Sequence, residues 1–270
     1  MTACENTSQV LRNMDEKETA PVAELKEIDA FLKGLLKPEA FRDYGPNGLQ
    51  VEGRAEVRRI VSGVTASREF IDAGIAAGAD LLFVHHGLFW RGQDGRLTGW
   101  LGERVRRLMK HDLSLVAYHL PLDAHAELGN NAQLGLRLGL AADARFGEQD
   151  IGFIGPAAGI ADASALAARV EQALSREPLL LPGDGRPLRR IAWCSGGAQG
   201  HFEAAIAAGA DAFLSGEVSE QQAHLAHETG VAFLACGHHA TERYGAPAAA
   251  AAVAAHFGLE HRFIEIDNPV

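Results

Sequence analysis

The sequence predicts an α/β protein made of two interlinked, internally duplicated lobes with mostly parallel sheets. Three observations carry this prediction. Short β-branched or apolar runs alternate with helical segments, the pattern of parallel strands joined by crossover helices. A stretch of the first half recurs in the second at a fixed offset. The buried runs end in histidines and carboxylates at matching places, where open α/β folds collect their ligand sites.

Residues 1–21 (MTACENTSQVLRNMDEKETAP) are polar and contain no apolar run of the signal-peptide kind, so they read as a disordered tail. Residues 22–37 place Leu25, Ile28, Phe31, Leu32 and Leu35 at helical spacing. The segment 43–53 (DYGPNGLQVEG) is a Gly/Pro loop in which Leu49 and Val51 begin a short strand. RRIVSGVTA (58–66) reads as a strand, REFIDAGIAAGA (68–79) as a helix and DLLFVHH (80–86) as a buried strand stopped by Gly87. A helix at 102–111, the strand SLVAYH (114–119) and a helix near 131–138 follow. The same grammar returns as strand 188–197, helix 201–210, strand 211–217, helix 219–230, strand 231–239, helix 241–258 and a last strand at 259–266. The Ala run at 248–252 lies in a helical segment, and Ala is the best helix former.

The recurrence is gapless. Arg58-Arg59-Ile60 aligns with Arg189-Arg190-Ile191, and Ile75–Asp80 (IAAGAD) aligns with Ile206–Asp211. Ten of 29 positions match between 58–86 and 189–217, where composition alone gives roughly two or three. This points to an internal duplication. The lobes are assigned to 22–124 plus 237–270 and to 125–236, with the functional site between them.

Bulk properties narrow the function. Of 270 residues, 47% are hydrophobic and 22% charged, as in an ordinary globular protein. A net charge of −10 argues against a nucleic-acid-binding surface. Cys4, Cys194 and Cys236 form no C-x-x-C pair, which disfavours a disulfide framework or thiolate zinc site and suits a reducing cytoplasm. No apolar run has the length of a membrane span.

The chemistry concentrates at strand ends. The strand at 80–86 closes on His85-His86, and its counterpart closes on Gly216-Glu217. The next strand of each copy runs into His-x-x-x-carboxylate, His119…Asp123 in the first and His238…Glu242 in the second. Imidazole with carboxylate and without thiolate suits zinc, iron or manganese. The set His85, His86, Asp123, His238 and Glu242 is enough for two ions, with Glu242 able to bridge them and His119 close by. Neighbouring residues on a strand point to opposite sides, so His85 and His86 are expected to serve different ions. Glu217 sits where a proton-transfer residue would be useful, or where a carboxylate would hold a ligand histidine. Asp43, Asn47 and Gln50 either reach a substrate or belong to a plain connecting loop. Ser195-Gly196-Gly197 reads as a tight turn rather than a phosphate cradle, since no Lys-Ser/Thr tail follows. His111, His125, His201, His224, His227, His239, His256 and His261 read as structural or surface residues.

DYGPNGLQVEG, GVTAS, FVHHGLFW, YHLPLDAHAELGNNAQ, SGEVSEQ and GHHATER together resemble the NIF-three-like dinuclear-metal family, whose members are often labelled GTP cyclohydrolase I type 2 homologues. The resemblance covers roughly 22–270 and is nearest to the short bacterial branch, because 140–188 is too short for the extra domain of longer members. It implies two α/β lobes, a toroidal homohexamer and two divalent transition-metal ions per chain. It implies that His85 and His238 serve one ion, that His86 and Asp123 serve the other, and that Glu242 bridges. It further implies metal-dependent hydrolysis of a nucleotide such as GTP, with His119 or Glu217 moving the proton. A metallochaperone-like protein and a ring-shaped DNA-associated protein are the competing classes.

Overall fold

The computed structural model describes residues 21–270, and the tail expected at 1–21 lies almost wholly outside them. The chain begins with β1 (Ala23–Glu24) and α1 (Leu25–Leu36), then β2 (Gly48–Val51), β3 (Glu56–Val57), β4 (Arg59–Thr65), α2 (Arg68–Ala76), β5 (Leu81–His86), α3 (Gly99–Lys110) and β6 (Ser114–Ala117). Two helices, α4 (Leu120–Ala124) and α5 (Asn130–Leu138), lead to β7 (Ala144–Phe146), β8 (Gly152–Pro156), α6 (Ala163–Leu174) and β9 (Leu179–Leu181). Then come β10 (Arg190–Trp193), α7 (Phe202–Ala207), β11 (Ala212–Ser215), α8 (Glu220–Thr229) and β12 (Ala232–Ala235). The chain closes with α9 (His238–Glu242), α10 (Gly245–Phe257) and β13 (Glu260–Phe263).

The strands form a five-stranded sheet in the order β13-β4-β5-β6-β2, a six-stranded sheet in the order β7-β8-β10-β11-β12-β9, and a small β1-β3 ribbon. In the five-stranded sheet all pairings are parallel except β2 with β6, as the fold class predicted. The six-stranded sheet is mixed. Its centre, β10-β11-β12, is parallel, while β7, β8 and β9 add in antiparallel fashion. These edge strands come from 140–188, a segment whose short runs and Pro/Gly breaks gave no periodic signal in the sequence.

The duplication is visible in the backbone. Ile60 pairs with Leu81 and Ile191 with Ala212, so β4-β5 and β10-β11 share a register. Asp80 Oδ2 accepts the backbone N–H groups of Arg58 and Arg59 at 2.8 and 3.0 Å. Asp211 Oδ2 does the same for Arg189 and Arg190 at 2.8 and 3.0 Å. One carboxylate thus caps the entry of the first repeated strand in each copy, which the aligned Arg-Arg and Asp positions encode.

Each sheet carries its own core. Ile28, Leu32, Ile60, Leu81 and Phe83 cluster with Ala246, Ala249, Ala250 and Val253 of α10, whose small side chains let the helix lie close on β4 and β5. Trp193, Leu214, Leu234, Leu166 and Val170 form the corresponding core under α6. The chain passes to the six-stranded sheet after β6 and returns after β12, so both crossings occur at the carboxyl ends of the parallel strands. Among the described residues no helix is long and apolar enough to cross a membrane.

Candidate metal centre

The sequence-predicted donors come together where the two crossings meet. His85 and His86 end β5 with their rings 4.5 Å apart, His85 tied to the Tyr118 carbonyl and His86 to Thr65, which leaves His85 fully buried and His86 half-buried. His119 stands at the start of α4 and Asp123 four residues on, which puts both on one helical face. The second copy repeats this in α9, with His238 and Glu242. Asp123 and Glu242 are 5% and 3% exposed, a burial that ionised carboxylates tolerate only with cationic partners.

Glu242 is the hub. Its Oε1 lies 3.5 Å from His85 Nε2, while its Oε2 lies 3.1 Å from His86 Nε2 and 3.0 Å from His238 Nε2. His85 Nε2 is also 3.4 Å from Asp123 Oδ1. Three groups of donor atoms therefore form: His85 with Asp123 and Glu242, His86 with His238 and Glu242, and His85 with His86 and His119. The pairing implied by the resemblance, His85 with His238 and His86 with Asp123, is not the grouping seen. The anchors account for the difference: held at Tyr118, His85 reaches Asp123, and held at Thr65, His86 lies against His238.

The imidazoles are fixed from behind. His85 Nδ1 donates to the Tyr118 carbonyl at 2.9 Å, and His86 Nδ1 pairs with Thr65 Oγ1 at 3.0 Å. His119 Nδ1 donates to Asp43 Oδ1 at 2.7 Å, and His238 Nδ1 donates to Glu217 Oε1 at 2.6 Å. Every one of the four rings thus has its Nδ1 engaged and its Nε2 left to face inward. Metal-ligating histidines are commonly oriented this way. Asp123 is held by Asn130 Nδ2 at 2.9 Å and by Ser195 Oγ at 3.3 Å.

Asp43 and Asn47, whose loop the sequence left as substrate-facing or plain, belong to this supporting layer. Asp43 Oδ2 accepts the Leu120 backbone N–H and the Asn47 side-chain amide, while Asn47 Oδ1 accepts the His119 N–H at 2.7 Å. Gln50 packs against Gly87 and accepts the Leu88 N–H. Glu217 has its second oxygen bonded by Gln199 Nε2 at 3.2 Å, so both oxygens are in use.

Electrostatics agree with a cation-binding cluster. Burial acts to raise Glu242, but His86, His85 and His238 hold it well below the carboxylate range. Burial pulls His85 down, yet Asp123 and Glu242 outweigh it and hold the ring at about 9. His238 is likewise lifted to about 9 against burial, by Glu242 and Glu217. Burial lowers His86 and raises Asp123. In a metal-free cluster, protons on His85 and His238 supply the positive charge that the carboxylates require.

The residues fit a metal on a geometric test. His85 Nε2 and Glu242 Oε2 are buried and make no hydrogen bond, although neighbours stand 3.0–3.5 Å away. Both atoms are left for a partner that the described residues do not supply. Gly196 leaves the space open. At φ +67, its missing Cβ would stand 1.8 Å from Glu242 Oε1 and 3.2 Å from His238 Nε2. The Gly-rich turn after β10 is therefore a wall of the cluster, as well as the tight turn read from the sequence. A cavity of about 260 Å³ opens beside the cluster, between Tyr44, His119, Ser195, Gln149 and His201. His201, set aside on the sequence, faces it.

Comparison with known proteins completes the description. The family model Duf34/NIF3 (NGG1p interacting factor 3) matches residues 23–269. A Neisseria meningitidis serogroup B protein named GTP cyclohydrolase 1 type 2 homolog is 52% identical over 234 residues, spanning 87% of this chain and 94% of its own length. A Pseudomonas aeruginosa protein of the same name is 51% identical over 248 residues, spanning 91% and 96%. The solved structure of protein ybgI, titled as of unknown function, matches with a TM-score of 0.88 at 40% identity, over 92% of this chain and 100% of that one. TTHA1606 from Thermus thermophilus matches with a TM-score of 0.81 at 31% identity, over the same shares. With a family match across nearly all of its described length and relatives more than half identical over most of both lengths, this chain belongs to the Duf34/NIF3 family.

Proposed function

We propose that the chain is a two-cation, metal-dependent hydrolase acting on a nucleotide or related heterocycle, assembled as a toroidal homohexamer in the cytoplasm. The observation that carries the reading is the orientation of four imidazoles, each anchored through Nδ1 so that Nε2 faces the shared Glu242 carboxylate or its immediate surroundings. His85, Asp123 and Glu242 would hold one zinc, iron or manganese ion. His86, His238 and Glu242 would hold the other, Glu242 being common to both groups. Such a pair supplies Lewis acidity and activates water at neutral pH.

The protein's own part is positioning and proton transfer. Asp43 fixes the His119 ring, so that His119 Nε2 is the atom that takes and returns the proton. Glu217, with both oxygens engaged, orients His238 and leaves proton transfer to His119. The relatives' name, GTP cyclohydrolase 1 type 2 homolog, makes GTP the first substrate to try. The cavity beside the cluster supports an enzyme over a metal-handling protein, which has no need of a substrate space. The −10 charge weighs against a DNA-associated ring. The test is a hydrolysis screen of nucleotides and phosphoesters with metal-loaded protein, wild type against His86→Ala and Asp123→Ala. Turnover lost in both variants supports the enzyme, whereas equal background rates in all three overturn it.

A further inference from the structure

The cavity beside the cluster has two kinds of wall. On one side stand the groups already given a task, His119, Asp123, His238 and Glu242. The rest of its lining has no assigned role and includes Gln149, His201 and Tyr44, whose ring meets His119 edge-on at 6.1 Å.

His201 differs from the other enclosed imidazoles. Eight histidines, including all four of the cluster, have a ring nitrogen hydrogen-bonded to a protein group. His201 is half-buried, lines the cavity and has no such partner among the described residues. It ends the short turn Gln199–His201 and packs over Gly147, which sits at φ +80. A Cβ on Gly147 would stand 2.7 Å from His201 Nδ1, so glycine there makes room for the ring. Burial lowers the imidazole below its usual value, so at neutral pH it offers one donor and one acceptor. A half-buried polar ring without a partner, on the wall of a cavity, is suited to complete its hydrogen bonds with a ligand.

Tyr44 supplies the second element. The residue is 60% exposed although its backbone is pinned, with the N–H bonded to Asp43 Oδ1 and the carbonyl accepting from Arg91 N–H. An aromatic ring on a fixed backbone, lining the same cavity as an unpaired donor–acceptor group, matches a flat molecule with a polar edge.

We propose that Tyr44 and His201 form the recognition wall of this cavity, binding a planar nitrogen heterocycle with a hydrogen-bonding edge, such as a nucleobase. The proposal rests on the two-cation reading above and specifies what that site takes. Tyr44 stacks on the ring, and His201 reads its polar edge. The reacting end then lies towards His119 and Glu242.

The experiment measures binding of guanosine, adenosine and uridine to manganese-loaded protein by calorimetry, with metal content determined on the same samples. The proteins are wild type, His201→Ala, His201→Gln and Tyr44→Ala. Wild type is expected to bind at least one nucleoside. Loss of one neutral hydrogen bond in His201→Ala weakens it roughly three- to tenfold. His201→Gln, which keeps a donor and an acceptor, restores most of the affinity. Tyr44→Ala weakens it by about tenfold through lost stacking. Metal per chain stays at the wild-type value in all variants. No nucleoside binding by wild type at millimolar concentration, or equal affinity in His201→Ala, overturns the proposal and leaves the two-cation reading standing. A wild type that takes up no metal overturns that reading, and this proposal with it.

Discussion

Gly196→Ala should damage the metal centre while leaving the fold intact. The added methyl would stand 1.8 Å from Glu242 Oε1, and contacts under 3.0 Å are essentially never tolerated by a Cβ. The carboxylate must therefore retreat by more than 1 Å. Metal–ligand distances hold to about 0.2 Å, so the displacement is several times what coordination allows. The backbone adds its own cost. Gly196 sits at φ +67, and a left-handed non-glycine residue loses about 1–2 kcal/mol. For a chain of this size that lowers the melting temperature by roughly 2–8 °C. Gly200→Ala is the control, since its Cβ would meet nothing within 4 Å. Scanning calorimetry and elemental analysis on metal-loaded and chelator-treated samples read both effects. Gly196→Ala is expected to melt a few degrees lower and to hold less than half the wild-type metal, with Gly200→Ala unchanged. Full metal occupancy in Gly196→Ala would refute the placement of Glu242 at the heart of the site.

Glu217→Gln removes the anionic acceptor from His238 Nδ1, and the affinity of the cation at His86 and His238 should fall roughly 10–100-fold by chelator competition. In metal-free protein, His85 and His238 titrate at about 9 against an ordinary 6.5. Their contribution to stability is then fully present below about pH 6.5 and lost as the pH rises through about 9. Thermal scans of chelator-treated protein should show that decline, and cation-loaded protein should not, because bound metal replaces the protons and binds better as pH rises. Asp80→Ala and Asp211→Ala each strand two backbone N–H groups and should cost about 1–3 kcal/mol in urea unfolding. Asp80→Ala should cost more, because it also breaks the Arg54 ion pair.

The strands of the parallel centre and the residues of the cluster were legible because both leave local marks. An apolar run that stops at His85-His86 states a strand, its end and a polar demand within seven residues. The offset of 131 made the second copy readable from the first. What escaped the sequence was set by distance along the chain. The Asp43–His119 bond spans 76 residues, and nothing near Asp43 announces it. His201 became interesting only when folding placed it on a cavity wall, since its own neighbourhood, Gln-Gly-His-Phe, is that of any helix entry. Gly196 was read correctly as a turn, but its second task depends on Glu242, which arrives from α9. The strand expected over 231–239 ends at Ala235 and the helix expected over 241–258 starts at Gly245, and between them the separate α9, His238–Glu242, aims His238 and Glu242. Helix propensity alone cannot place such boundaries.

If the chain holds two cations as proposed, the two oxygens of Glu242 should face different ones. Anomalous scattering from crystals grown with manganese or zinc tests it most directly. Two peaks should flank the Glu242 carboxylate about 3.5–4 Å apart, one bonded to His85 Nε2 and Asp123, the other to His86 Nε2 and His238 Nε2. A single peak, or metal bound elsewhere with none at Glu242, would contradict the account.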